Sequence, residues 1–288
     1  MKKLTSLLFV LVFANSMAFA QNNDATVEQD GNSHNATVTQ TGSESNAIVD
    51  QDSHFGTGHL TEITQQAGSE NFAFVDQNQA NSEAFVTQTG SENESRSKQA
   101  GYNELTVNQS GNGNVLGAYG DYSGNAYQKN GTGVFSSDKN DLFLNQIGAF
   151  QKAGVWQEHH ADADITQIGA FNKADVKQTG SPQQAINTAD VEQVGARLNA
   201  DISQNGEGNT SIIDSHGAWD TAISNQSGTD HNSTINQTGL WNTASVSQSV
   251  HNNSSTVAQT GSGHSAGVTQ TGSGNSSTVS QSGVGGGT

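Results

Sequence analysis

Catalysis or metal binding needs nucleophiles, general bases or ligands at a working spacing, and this sequence offers few. It has no Cys in 288 residues, which excludes disulfide staples and Cys-ligated metals. Its nine His residues are scattered, and only His159-His160 has acids close by, in the run Glu158-His-His-Ala-Asp162-Ala-Asp164. That run matches no recognised ligand spacing and reads as a solvated turn. Ser, His and Asp are abundant, yet none forms a nucleophile elbow or a recognisable triad. Asp-rich calcium repeats of the Gly-Gly-x-Gly-x-Asp type are absent as well. The abundant chemistry is that of amides. Asn and Gln make up about a fifth of the chain, and each side chain carries an acceptor and a donor on one planar group. No enzymatic activity, metal or cofactor is expected.

The amides are regularly spaced. A Gln recurs every eleven residues over long stretches, most cleanly at Gln226, Gln237, Gln248, Gln259, Gln270 and Gln281, and also at Gln29, Gln40, Gln51 and at Gln66, Gln77, Gln88, Gln99. Counted from each Gln, the unit is Gln-x-Gly-x-x-Asn-x-Ala-x-Val-x, as in Gln237-Thr-Gly239-Leu-Trp-Asn242-Thr-Ala244-Ser-Val246-Ser-Gln248. An eleven-residue period is also that of a helical repeat, but the two recurring apolar sites are two apart, which gives no helical stripe. Each unit also carries a Gly, costing a helix ~1 kcal/mol. Spacing by two instead puts Asn242, Ala244, Val246 and Gln248 on one face of a β-strand, with x-Gly-x-x as the turn between strands.

These units predict an all-β fold: a β-solenoid of stacked 22-residue strand-turn-strand-turn coils, two 11-residue units per coil, cross-β and amyloid-like when polymerised. About twelve coils at ~4.8 Å per layer give a rod of roughly 55–60 Å. Length variation falls in the turns: Gln99 to Gln109 is ten residues and Gln178 to Gln193 fifteen, with the strands kept. The only proline, Pro182, is placed in such a turn. Residues 112–141, with Tyr119, Tyr122 and Tyr127, fit worst and read as a degenerate or bulged section.

The first twenty residues stand apart. Lys2-Lys3, the apolar run Leu4 to Phe13 and Ala18-Phe19-Ala20 read as a bacterial-type signal peptide, leaving Gln21 as the first mature residue. The repeat section is then 21–281, followed by a Gly-rich tail, 282–288. Losing Lys2 and Lys3 moves the formal charge from −17 to −19, which argues against nucleic acid or an anionic membrane as partner. No later segment is apolar enough to span a membrane.

The unit resembles the curlin repeat, whose Gln-x-Gly-x-Gly-Asn turn is matched at Gln270-Thr-Gly272-Ser-Gly274-Asn275, Gln204-Asn-Gly206-Glu-Gly208-Asn209 and Gln109-Ser-Gly111-Asn-Gly113-Asn114. That resemblance implies a subunit of curli-type fibres: an extracellular functional amyloid of the biofilm matrix at the outer cell surface. It further implies a homopolymer grown by nucleated polymerisation, with a nucleator or companion curlin subunit and an outer-membrane secretion pore as partners. The family's inward ladder then falls on Gln29, Gln40, Gln51, Gln77, Gln88, Gln178, Gln193, Gln204, Gln226, Gln237, Gln248, Gln259, Gln270 and Gln281. Its Asn positions fall on Asn71, Asn172, Asn209, Asn242, Asn253 and Asn275. The turn glycines are Gly31, Gly42, Gly90, Gly180, Gly206, Gly228, Gly239, Gly261 and Gly272. The chain has more units than a typical curlin, Ser often replaces Ala, and no separate targeting segment follows the leader.

Two other functions fit parts of the sequence. An ice-binding solenoid would use outward Thr rows such as those hinted at near Thr243, Thr256 and Thr278, and a polysaccharide-cleaving solenoid would need clustered outward acids. Outward aromatics at Phe72, Phe74, Phe85 and Trp156 read either as a sticky lateral patch or as cover for a coil. Charge is segregated: His231 to Thr288 contains no Asp, Glu, Lys or Arg. Low charge, high β-propensity and no proline mark a self-associating segment, with outward acids such as Asp175, Glu192 and Asp201 as gatekeepers. A peptide spanning 237–259 is therefore expected to show a shorter lag than one spanning 167–193 in a dye-binding assay; equal lags overturn the gatekeeper assignment.

Overall fold

The computed structural model describes residues 22–53, 58–79, 81–130, 139–181 and 185–285. The leader, Pro182 and the last three residues of the tail lie outside them. The described residues contain no helix and wind as a β-solenoid of about eleven turns. Successive strands fall alternately into two parallel sheets of 12 and 11 strands, the first starting at Asp24–Asp30 and the second at Asn35–Gln40.

Register is like upon like. In the first sheet Ala222 lies on Ala244 and Ala244 on Ala266, while Gln226 lies on Gln248 and Gln248 on Gln270. In the second sheet Ile235 lies on Val257 and Val257 on Val279. Period-two alternation explains what is buried: in Thr243–His251 the side chains of Ala244, Val246 and Gln248 point in while Thr243 and Ser247 face solvent. One narrow core of Ala, Val, Ile and Leu runs the length of the rod. Where Ser takes the Ala slot, at Ser95, Ser211, Ser233 and Ser255, the buried hydroxyl has no partner, a cost of about 1–3 kcal/mol each.

The structure differs from the sequence reading in two places. The x-Gly-x-x segment is not all turn, since strands such as Asn232–Leu240 run through the glycine and leave only two residues, Trp241 and Asn242, to change sheets. The reason is stacking: Gly239 keeps its place in the ladder between Gly217 and Gly261. The tail is shorter than expected, because Ser276–Val284 continues in register past Gln281, pairing Ser282 with Thr260 and Val284 with Ser262. Within the section read as degenerate or bulged, the described strand residues keep the register. One strand is split into Val115–Ala118 and Ala126–Lys129, both lying between Glu94–Ala100 and Lys152–Glu158, so that Gln128 sits between Gln99 and Gln157.

Residues 119–125, extruded between the two half-strands, fold over the outer face of the first sheet. The Tyr122 hydroxyl lies 2.8 Å from both Asp175 oxygens, and the Tyr119 hydroxyl donates to Asp201 at 3.0 Å. Gly154 makes room for this strap, since a Cβ there would lie 2.4 Å from Asp175 Oδ1 and 2.7 Å from the Ala118 carbonyl.

The glycine column shows how tightly the layers meet. At Gly217, φ is +139° and a Cβ would stand 1.8 Å from the Gly239 carbonyl oxygen, whereas Gly267 lacks a positive φ and has nothing within 4 Å. Gly217→Ala is expected to destabilise the fold by about 1–3 kcal/mol from backbone strain, plus the cost of separating two layers. Gly267→Ala should change the urea midpoint little; equal midpoints for the two variants would refute this account.

Candidate functional site

The inward Gln side chains form two axial columns. In the first sheet Gln29, Gln51, Gln77, Gln99, Gln128, Gln157, Gln178, Gln204, Gln226, Gln248 and Gln270 are linked without a break, each Nε2 donating to the Oε1 of the next at 2.7–3.1 Å. The second sheet links Gln40, Gln65, Gln88, Gln109, Gln146, Gln167 and Gln193 in the same way. Ser215 then takes a Gln position, and the column resumes as Gln237, Gln259 and Gln281. Every link runs in the same direction, so the N-terminal end presents acceptors and the C-terminal end donors.

Each amide except Gln29 has a second task. The other Nε2 hydrogen reaches the backbone carbonyl at the start of a strand in the opposite sheet, as from Gln226 to Thr210 at 2.8 Å and from Gln237 to Thr221 at 3.0 Å. The Gln therefore ties layer to layer and sheet to sheet at once. A buried amide with both demands met avoids the desolvation penalty that an unpaired one would carry.

The Asn residues sit at the two edges where the chain changes sheets. Asn71, Asn172 and Asn242 occupy one edge and Asn209, Asn253 and Asn275 the other. Each Asn except the terminal Asn275 clamps the following layer twice. Asn242 Oδ1 accepts the His264 N–H at 3.1 Å and its Nδ2 donates to the Gly261 carbonyl at 3.2 Å, while Asn253 does the same to Asn275 and Gly272. The glycines divide likewise, with Gly31, Gly180, Gly206, Gly228 and Gly272 at the second edge and Gly42, Gly90, Gly239 and Gly261 at the first. Gly42 and Gly180 have no positive φ; what they supply is space beside the Gly68 and His159 carbonyls.

Sequence reasoning missed or misplaced several members. The ladder residue is Gln65, not the adjacent Gln66, which is exposed because the preceding insertion is one residue shorter than counted. Gln128 was hidden by the split strand. Gln146 follows Leu142, where the unit calls for Ala, but its Asn140-x-Leu-x-Leu-x-Gln spacing of two would have found it. Four of the nominally scattered His residues stand in Asn positions. His34, His59 and His231 each accept the backbone N–H of the next layer through Nδ1, and the buried His264 lies in the Asn242 column. Asp220 also replaces Asn, accepting the Asn242 N–H at 2.7 Å, and burial pushes its carboxyl above the usual range.

The outer faces carry the charge. Stacking sets Asp141 beside Asp162 and Asp164 beside Asp190, and partial burial, reinforced by neighbouring acids, raises all four carboxyls above their ordinary value. Glu192 and Asp201 face outward as expected. Asp175 does not act as an exposed gatekeeper: the Tyr122 strap and Lys173 cover it to 4% exposure. Glu192, Asp214 and His216 each offer one atom within 4.8 Å of the others, with His216 Nε2 2.8 Å from Asp214 Oδ1. Exposed acidic trios of this kind are common without an ion. Two of the aromatics named in the sequence lie over neighbouring layers, Phe72 beneath the Arg96 guanidinium and Trp156 against Tyr127.

A different set of aromatics is more exposed. At the first edge Phe150, Phe171, Arg197, Trp219 and Trp241 follow one another in successive layers, all with φ between 55° and 63°. Phe150 stacks on Phe171 at 5.3 Å and Trp219 on Trp241 at 4.8 Å, with the Arg197 guanidinium between the pairs. Left-handed backbone costs a bulky residue about 1–2 kcal/mol, and each ring pair returns about 0.5–1.5 kcal/mol. Over five such positions the strain exceeds what the two ring pairs return, so the column is not explained by what it adds to the fold.

The geometry of the stack agrees with the comparison to known families. The family described as Curlin associated repeat matches residues 20–52, 187–217, 242–272 and 251–283. In those stretches the chain carries curlin-like repeats. No curated protein matches the chain. Among the described residues no helix is long and apolar enough to cross a membrane.

The His replacements give a pH dependence with a definite sign. Burial lowers the folded-state pKa of His59 and His231 below 6.5, so their stabilising contribution is complete above pH 6.5 and is lost as pH falls through it. His231→Asn, which keeps the acceptor and removes the titration, is expected to reduce the fall in urea midpoint between pH 7.5 and pH 5. An unchanged fall would show that His231 does not set it.

Proposed function

We propose that the protein is a structural subunit of extracellular, curli-type amyloid fibres, polymerising head to tail through its two open ends. The observation that carries this reading is that both ends of the rod repeat its interior. At the C-terminal end, Ser265–Gln270 and Ser276–Val284 are hydrogen-bonded on one side only, above an open groove lined by Val268, Gln270, Asn275 and Val279. At the N-terminal end Asp24–Asp30 and Asn35–Gln40 are likewise half-paired. An unpaired edge of this kind templates another strand.

The ends also match in sense. Gln29 and Gln40 of an incoming copy would accept from Gln270 and Gln281, continuing both columns in the direction they already run. Asp24, Glu28 and Asp30 would meet the neutral row of Ser265, Thr269 and Thr271, so no like charges oppose each other at the joint. Such a contact is heterologous and does not close, which yields a filament. On this reading the protein has no catalytic activity, reaches the cell exterior after loss of its leader, and takes part in the biofilm matrix with a companion subunit and a secretion pore.

An outward Thr column, Thr234 on Thr256 on Thr278, supports ice binding as a second reading, which thermal hysteresis of the monomer would reveal. The fibre reading is tested with the chain from Gln21 onward. It should polymerise after a lag that preformed seeds abolish, and give a cross-β reflection near ~4.8 Å. The pair Val268→Lys and Val279→Lys, which places charges in the terminal groove, should slow elongation at least tenfold. A chain that stays monomeric, or a double variant that elongates normally, would refute end-to-end templating.

A further inference from the structure

From the edge column of Phe150, Phe171, Arg197, Trp219 and Trp241 we infer that this edge is a lateral contact surface whose partner is the same edge of a second copy, the two rods lying side by side. The inference depends on the fibre reading for its repetition along the axis, not for the contact itself.

The opposite edge shows what the turn alone requires. Its positive-φ positions include Gln79, Gly101, His159, Gly208, Asp230, Asn252 and Gly274, mostly types that tolerate left-handed backbone. The aromatic edge reverts to glycine at Gly113, just before Phe150, and at Gly263, just after Trp241. Large rings thus occupy four of five consecutive layers, with Arg197 in the fifth, where glycine serves in the layer on either side. Their stacking does not repay the backbone strain, so stability of the fold does not account for them. An uncommon backbone conformation kept at such a run points to a role outside the fold.

The rings are also out in solvent: Phe150 is 49%, Phe171 52%, Trp219 42% and Trp241 59% exposed, and Ile147, Ile168 and Leu240 beside them are exposed too. Apolar exposure is thereby concentrated along one line on an otherwise polar, acidic rod.

The shape of the stripe selects the partner. Because the rings lie face to face, each buries its faces against its neighbours and presents an edge, with only the outer face of Trp241 open above Gly263. Sugar rings pack on aromatic faces, so a glycan would find one platform here rather than five. A row of ring edges repeating at the layer spacing is matched, layer for layer, by another rod of the same spacing. At 150–250 Å² per aromatic side chain, the free area of the four rings is roughly 400 Å², about half of what each partner gives to a standard stable interface. Two single copies therefore bind weakly, and two fibres, presenting the stripe once per subunit, bind by multiplicity.

The test is a chain carrying Phe150→Gly, Phe171→Gly, Trp219→Gly and Trp241→Gly, in which glycine takes left-handed positions it already fills at Gly113 and Gly263. Asp230→Gly with Asn252→Gly on the opposite edge is the control. In electron micrographs the unaltered and control fibres should lie in pairs or bundles. The four-glycine chain should give at least fivefold fewer lateral contacts, with unchanged circular dichroism and elongation rate. Equal bundling in all three overturns the inference. So does binding of a soluble β-glucan that depends on the four rings without any lateral association of fibres. If no fibre forms, the function proposed above fails while the contact is still readable: sedimentation at rising concentration should show reversible dimers that the four-glycine chain lacks, and monomers throughout overturn it.

Discussion

The structure depends on one interaction, the hydrogen bond between a buried amide and the same amide one layer on. A carboxamide is neutral and both donates and accepts in one plane, so it can repeat indefinitely along an axis without charge building up. Gln does this in the interior and Asn at the edges, and each also holds a backbone carbonyl that would otherwise be stranded at a bend. The apolar core is narrow because it has little to do; the amides supply the specificity that a broad hydrophobic core supplies elsewhere. Ser215 shows how local the requirement is, for the second column loses one amide there and the layers on both sides stay in register.

In-register stacking that serves amides acts against charges. The rule that puts Gln226 on Gln248 also puts Asp164 on Asp190 and Glu192 on Asp214, so that acid neighbours add to burial in raising the carboxyls of Asp164 and Asp190. The chain answers in two ways: it interposes tyrosine hydroxyls and lysines over Asp175 and Asp201, and it omits charge altogether from His231 onward. The neutral stretch lies at the C-terminal one of the rod's two open ends.

Much of this was legible in the sequence because a two-residue alternation carried on an eleven-residue repeat fixes which side chains point in. The all-β solenoid follows from that pattern, as do positions such as Ala244, Val246 and Gln248. What escaped was whatever depends on the third dimension of the stack. Gln65 and Gln66 are both glutamines, and only the partner layers decide which is inward. His34, His59 and His231 do the work of Asn through a ring nitrogen, an equivalence visible only in the bonds they accept. Phe150 and Trp219 are 69 residues apart, and nothing in a linear pattern announces that they share one edge. The glycine of the unit was read as a turn because turns favour it, whereas here the close approach of the next layer's carbonyl is as demanding as the bend.

The split strand carries a further consequence. Val115–Ala118 and Ala126–Lys129 hold one layer between them although the chain leaves the sheet in the middle, so a layer is secured from its neighbours rather than by its own continuity. The rod behaves in this respect like masonry laid in courses: a peptide bond cut within residues 119–125 would leave both half-strands bonded to the layers on either side, and the protein would outlast a proteolytic nick at the site where its sequence looks least regular.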